Sequence, residues 1–389
     1  MRFSAIIAAL VAALVGIAGA LAVVLAAAVA VGASKAETTS WVIGLWIAMA
    51  ITSMGLSAWH RIPIITAWST PGAAVIAATS GINLRAAVGA FLLAGVLLIL
   101  TALIAPLGRL IERIPVAVAS AMLAGVLVRF VIALFDGVKS DPQLVLPLIA
   151  LFLVVRLWSP PAAMLAVLAS GIAIAARQGA FAGGLGLELS SLNLVVPDFD
   201  PAVLIGVGIP LYLVTMASQN LPGAAVLRAA GYAVPMASSL AVTGVASVVV
   251  AFAGAHTVNL SAITAAICTG PDAHPDPKRR WTTGIAYGVI YLAIAAVGAS
   301  IVALFLGFPP VLIKAIAGLG LMGSLTGALA QAMQDDRNRF AAVLTFAVTA
   351  SGITLIGVGA AFWGLVAGLL VLGLDHAAAR VRGTAPKPP

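Results

Sequence analysis

The chain has 389 residues, 62% of them apolar and only 8% charged, with a formal charge of +8. A soluble domain carries about 25% charged residues, so a water-soluble globule is excluded. Nucleic-acid binding is excluded too, because Lys and Arg sit in short stretches between apolar runs rather than on one face.

In chain order, the apolar runs predict fourteen segments, near 4–34, 41–59, 62–80, 83–106, 115–135, 142–157, 160–177, 200–220, 235–253, 256–270, 282–305, 309–330, 339–354 and 357–376. Lipid cannot satisfy open backbone groups, so a bundle of spanning helices is expected. The runs are continuous rather than alternating, which disfavours a β-barrel. The first run, Phe3 to Val31, is about twice the length of a signal-peptide apolar region and reads as a membrane helix. Cys268 is the only cysteine, so no intrachain disulfide can form.

Segments eight to fourteen echo segments one to seven. Pro115 opens the fifth and Pro309 the twelfth, and Ala124-Gly125 and Ala317-Gly318 follow at similar distances. Seven spans per half reverse the direction of the second half, the layout of an inverted-topology repeat. With both termini cytoplasmic, fourteen Lys and Arg fall inside (Arg2, Arg61, Arg109, Arg113, Arg156, Arg228, Lys278, Arg279, Arg280, Arg337, Arg339, Arg380, Arg382, Lys387), against Lys35, Arg85, Lys139 and Arg177 outside. That is the positive-inside bias of an even span count. Arg129 and Lys314 lie within segments, and the stretch 178–199, with Glu188 and Asp198, links the halves.

Segments three and ten differ from the rest. Each opens with a β-branched or proline-bearing stretch, Pro63-Ile-Ile-Thr66 and Thr257-Val-Asn259, that favours extended backbone. Hydroxyl residues suited to helix capping follow, Ser69-Thr70 and Ser261, with Pro71 fit for a first turn. Each then continues as a short alanine-rich helix. Five extended residues and ten helical ones reach about 31 Å, close to the hydrocarbon thickness. The two segments run in opposite directions, so both half-helices are expected to start near the midplane with their N-termini facing each other. Their free N–H groups and partial positive charge make an anion site without an arginine.

Three motifs carry a family resemblance: Pro63-Ile-Ile-Thr-Ala-Trp-Ser-Thr-Pro-Gly72, Val214-Thr-Met-Ala-Ser-Gln-Asn-Leu-Pro-Gly223, and the run from His256 through Asn259-Leu-Ser261 and Thr264 to Gly270-Pro-Asp-Ala-His-Pro-Asp-Pro277. They resemble the BenE benzoate:proton symporter family, within the nucleobase- and sulfate-type carriers. The resemblance implies a core domain of 1–107 and 198–305 and a gate domain of 108–197 and 306–389. It also implies import of benzoate or a similar aromatic carboxylate with protons across a bacterial inner membrane, and it allows a homodimer. Alternatives are another small anion or nucleobase-like solute in the same fold, or an uncoupled anion channel. One stretch departs from the family pattern: Ile17-Ala-Gly-Ala-Leu-Ala-Val-Val-Leu25 is wholly apolar, where the family's first helix carries a Tyr-Ser-Ser cluster.

The candidate substrate residues are Thr66, Trp68, Ser69, Thr70 and Gly72, then Ser218, Gln219 and Asn220, then Asn259, Ser261 and Thr264. Hydroxyls and helix starts would hold the carboxylate, and Trp68 or nearby aliphatic groups the ring. Three consecutive polar side chains in a span are costly without partners. The acidic residues, Glu112, Asp136 and Asp375 among them, fall in loops or at span ends, so His256 is the titratable candidate for proton coupling. Asp272, His274 and Asp276 alternate with Pro271, Pro275 and Pro277 in a stiff turn, and no metal or cofactor is expected there. Trp41, Trp59, Trp158 and Trp281 read as interface anchors. No nucleophile–base pair lies within the spans, so an enzyme is not expected.

Overall fold

A computed structural model describes residues 2–104, 115–177 and 190–381. Arg109, Glu112, Arg113, Glu188, Arg382 and Lys387 lie outside the described residues. Helix α1 spans Phe3–Ala30 and α2 spans Lys35–His60. Strand β1, Thr66–Trp68, runs into α3, Thr70–Ala77, and α4 covers Leu84–Leu103. Helices α5 (Val116–Ser140), α6 (Pro142–Val155) and α7 (Pro160–Arg177) follow.

The second half opens with α8, Pro201–Ala229, and α9, Met236–Ala251. Strand β2, Val258–Leu260, leads to α10, Ile263–Thr269. Helices α11 (Trp281–Ala296) and α12 (Gly298–Leu306) come next, then α13 (Pro310–Met333), α14 (Arg339–Ser351) and α15 (Ala360–Val381). Among the described residues, eight helices are long and apolar enough to cross a membrane. A ninth span results if the pair bent by 66° at Val297 is counted as one.

The packing follows small residues. Helices α2 and α11 pack together, as do α4 and α9, and α5 packs on α13. A Cβ on Gly244 of α9 would lie 3.0 Å from Ile99 N of α4, and one on Gly288 of α11 would lie 2.7 Å from Ala50 O of α2. These glycines let backbones touch, which is how helices associate where lipid offers no hydrophobic drive. Helix α1 packs along both α3 and α10.

Three boundaries differ from the sequence expectation, each for a local reason. Helix α2 starts at Lys35 rather than 41, because Ser34 and Glu37 form a capping box. Glu37 N donates to Ser34 Oγ at 3.3 Å and Ser34 N to Glu37 Oε2 at 2.8 Å. Helix α10 is seven residues long rather than ten. The Ser261 N–H is already given to Ile65 O at 2.9 Å, which extends the strand ladder, so the helix begins two residues later. Helix α8 runs on to Ala229 through two π-helical turns, Leu204–Gly208 and Met216–Asn220. Such turns are frequent at functional sites.

Candidate substrate site

The two extended stretches cross as an antiparallel pair, with Thr66 opposite Leu260, Ala67 opposite Asn259 and Trp68 opposite Val258. Ser69 N donates to Thr257 O at 3.1 Å, so the ladder runs from Ile65 and Ser261 to Ser69 and Thr257. Helix α3 therefore leaves from one end of the pair and α10 from the other. Four residues separate the two starts along the strand, about 13 Å at 3.3 Å per residue. The N-termini thus face each other across the strand pair instead of meeting at their tips.

Side chains alternate across a strand, and that assigns the two faces. Thr66 and Trp68 lie on the face toward α2. Thr66 Oγ1 bonds the hydroxyls of Thr52 at 2.6 Å and Ser53 at 2.8 Å, and donates to Met49 O at 3.1 Å. Trp68 is buried beside Trp46 of α2, with 6.4 Å between ring centroids. These two expected substrate contacts are occupied in fixing β1 to α2. Ala67 and Asn259 share the opposite face. Ala67 is the one half-buried residue of the pair, and Asn259 is buried.

Asn259 Nδ2 donates to Leu260 O at 2.9 Å, which fixes the amide orientation. Its Oδ1 is buried without a hydrogen-bond partner among the described residues. An unmet buried acceptor costs about 1–3 kcal/mol, so Oδ1 is the atom of the strand pair that calls for a donor. Asn220, on the π-helical turn, accepts from Leu260 N at 2.9 Å and so holds β2 to α8. Ser218 and Gln219 occupy the same turn, half-buried.

At the start of α3, Ser69 Oγ accepts from Gly72 N at 3.0 Å and from Thr215 Oγ1 at 3.2 Å. A Cβ on Gly72 would stand 2.7 Å from that Oγ, so only glycine leaves the cap undisturbed. Thr70 is half-buried in the first turn. At the other start, Ser261 Oγ accepts from Thr264 Oγ1 at 2.6 Å and from Thr264 N at 3.3 Å. Both helix starts are thus lined by short hydroxyl chains.

His256 is fully engaged. Its Nδ1 accepts the Trp41 indole N–H at 2.9 Å, and Nε2 lies 3.0 Å from Ser69 O, to which only a protonated nitrogen can donate. This selects the neutral Nε2–H tautomer. Trp41 is therefore no interface anchor. The early start of α2 carries it two turns into the helix, where it is fully buried. Trp59 and Trp158 are exposed at span ends, and Trp281 stacks under the Arg61 guanidinium at 4.2 Å.

Sequence reasoning missed Tyr287 and Tyr291, one turn apart on α11, both buried, with ring centroids 4.7 Å apart. Gly16 of α1 makes room for Tyr291 and Thr264: a Cβ there would lie 3.1 Å from Tyr291 Oη and 3.7 Å from Thr264 Cγ2. The polar groups beside the apolar first helix thus come from α11 and α10. A tyrosine in an apolar span gives no period or motif that singles it out; the signal was Gly16, the small residue that faces Tyr291.

Comparison with known proteins agrees with this architecture. The chain belongs to the BenE family, benzoate membrane transport protein, whose model matches residues 1–374. It is 38% identical over 343 residues to the inner membrane protein YdcO of Escherichia coli K12, covering 88% of each chain. To the benzoate membrane transport protein of Acinetobacter baylyi it is 34% identical over 333 residues, 85% of this chain and 84% of that one. Two solved structures share the fold. One is the transmembrane domain of a cyanobacterium bicarbonate transporter, BicA (TM-score 0.60, 16% identity, 90% of this chain and 99% of that one). The other is SLC26A9 (TM-score 0.61, 13% identity, 95% of this chain and 66% of that one). The chain is a multi-pass membrane transport protein and not an enzyme.

Proposed function

We propose that the protein is a secondary active transporter that imports benzoate or a similar aromatic carboxylate together with a proton. The carboxyl group binds at the crossing of β1 and β2, between the starts of α3 and α10. One observation carries this reading: Asn259 Oδ1, at the centre of the crossing, is a buried acceptor with no donor among the described residues. A protonated carboxyl brings a donor for it. The carboxyl's remaining oxygen is then free for the N–H and hydroxyl groups of a helix start, at Thr70 or at Ser261 and Thr264. The apolar ring suits the aliphatic wall of α1, Ile17 to Leu25, which packs along both half-helices.

The proton travels with the substrate. Protonation of His256 at Nδ1 would turn two donors, that nitrogen and the Trp41 indole, against each other. The substrate carboxyl can carry the proton without breaking that bond.

Fourteen segments in a 7+7 inverted repeat complete the proposal. The three shorter apolar helices, Pro142–Val155, Met236–Ala251 and Arg339–Ser351, and the two strand–helix segments join the nine apolar spans. A two-fold exchange of halves maps the α2–α11 contact onto the α4–α9 contact, and maps the β1–β2 pair onto itself. Residues 1–107 and 198–305 then form the core, and 108–197 and 306–389 the gate. The charge bias puts both termini in the cytoplasm of a bacterial inner membrane. Asn259, Ser261 and Thr264 are buried, so substrate is admitted when core and gate move apart.

Proteoliposomes test the function. With an inward proton gradient, labelled benzoate should accumulate, and a protonophore should abolish accumulation. Accumulation that survives the protonophore would refute the coupling.

A further inference from the structure

Arg129 lies in the middle of an apolar span, α5, and makes no ion pair among the described residues. Its one hydrogen bond there is long, 3.4 Å from Nη1 to Ala78 O, the C-cap carbonyl of α3. Charged side chains inside spans are costly and mark a pathway by default.

The exposed guanidinium stands at the mouth of a narrow cleft lined by Thr79, Gly206, Thr349, Thr354 and Ala361, whose interior has room for little more than a water-sized group. No acidic side chain lines this cleft. Thr349 is 2% exposed, and its hydroxyl has no hydrogen-bond partner among the described residues. Gly352, at φ 70°, lets the backbone run against the guanidinium; a Cβ there would stand 2.8 Å from Nη1. The arginine is thus backed by chain on one side and exposed on the other, at a cleft mouth lined by uncharged residues.

The cleft lies where the far end of α3 meets α5, α8, α14 and α15. The near end of α3 is Ser69, at the candidate site. Eight helical residues separate them by about 12 Å, so a ligand at Arg129 is one short helix away from the strand crossing and does not occupy it.

We propose that the Arg129 cleft is a second, waiting site for the carboxylate, which docks on the guanidinium before it passes along α3 to the strand crossing. This rests on the reading of the protein as a carrier of aromatic carboxylates. The planar fork of an arginine matches a carboxylate through two parallel hydrogen bonds. An anion compensates this cation, and with no acidic side chain lining the cleft the compensating charge can be a mobile one. The ionised carboxylate fits here and the protonated one at Asn259, so the proton is taken up between the two sites.

Two measurements test the waiting site. In the first, the purified wild-type protein is treated with phenylglyoxal, and the peptide that carries Arg129 is followed by mass spectrometry. Benzoate should slow its labelling about tenfold, while chloride at equal ionic strength should not. Equal labelling with and without benzoate overturns the proposal, and this readout does not require transport. In the second, R129Q should raise the KM for benzoate uptake about tenfold, with the maximal rate within about twofold of wild type and R129K in between. An unchanged KM, or a fall in maximal rate alone, makes Arg129 a latch on Ala78 and overturns the proposal. A wild-type protein that takes up no benzoate while Arg129 is still protected overturns the transport reading and leaves the site standing.

Discussion

The indole N–H of Trp41 points at Nδ1 of His256 over 2.9 Å, joining the second helix to the chain just ahead of β2. On its other side His256 reaches Ser69 O at 3.0 Å. One neutral imidazole therefore ties α2, β2 and the cap of α3 together. The centroids of Trp41 and Phe91 lie 5.2 Å apart in an edge-to-face contact that closes the pocket around it.

Trp41→Phe keeps the ring and removes the donor, leaving Nδ1 buried without a partner. The expected loss is about 1–3 kcal/mol of stability, read as a lower melting temperature in detergent. A melting temperature equal to wild type would mean that the bond is not needed to hold the helices in register.

Asn259→Asp replaces the unpaired amide oxygen by a carboxylate of nearly the same shape. A carboxyl buried there either takes up a proton itself, and so competes with the substrate for it, or stays as an uncompensated buried charge, so benzoate uptake at neutral pH should fall by more than about tenfold. Asn259→Ser, which keeps a small acceptor, should retain more uptake than the aspartate variant. Uptake by Asn259→Asp at the wild-type rate would remove Asn259 from the site.

Ser261→Leu removes the acceptor for both Thr264 groups and crowds the start of α10. The apparent affinity for benzoate should drop about tenfold, measured by thermal shift against ligand concentration. An unchanged affinity would take α10 out of the binding account.

The breaks in segments three and ten were legible because they rest on local chemistry. β-Branched residues favour extended backbone, Pro71 favours a first turn, and Ser69 favours a cap; each sits where the structure uses it. What was not legible depends on partners distant in the chain. The pairing of Ala67 with Asn259 fixes which side chains face α2, and no local pattern carries that register. It turns Thr66 and Trp68 toward α2 and leaves Asn259 on the other face. The same holds for Trp41, whose partner is 215 residues away. The start of α10 follows Ser261 because Ser261 N is taken by Ile65 O in the ladder, a tertiary bond, while its Oγ still accepts from Thr264 N. Tyr291 packs against Gly16, a residue of the opposite half of the chain.

A crystal of the protein grown with 4-bromobenzoate, with its anomalous difference map, would locate both ends of the bound substrate. The carboxyl group is expected within hydrogen-bond distance of Asn259 Oδ1 and of the first turn of α3 or α10, with the bromine peak against α1. A carboxyl bound away from the strand crossing, with Asn259 Oδ1 still unpaired, would contradict it.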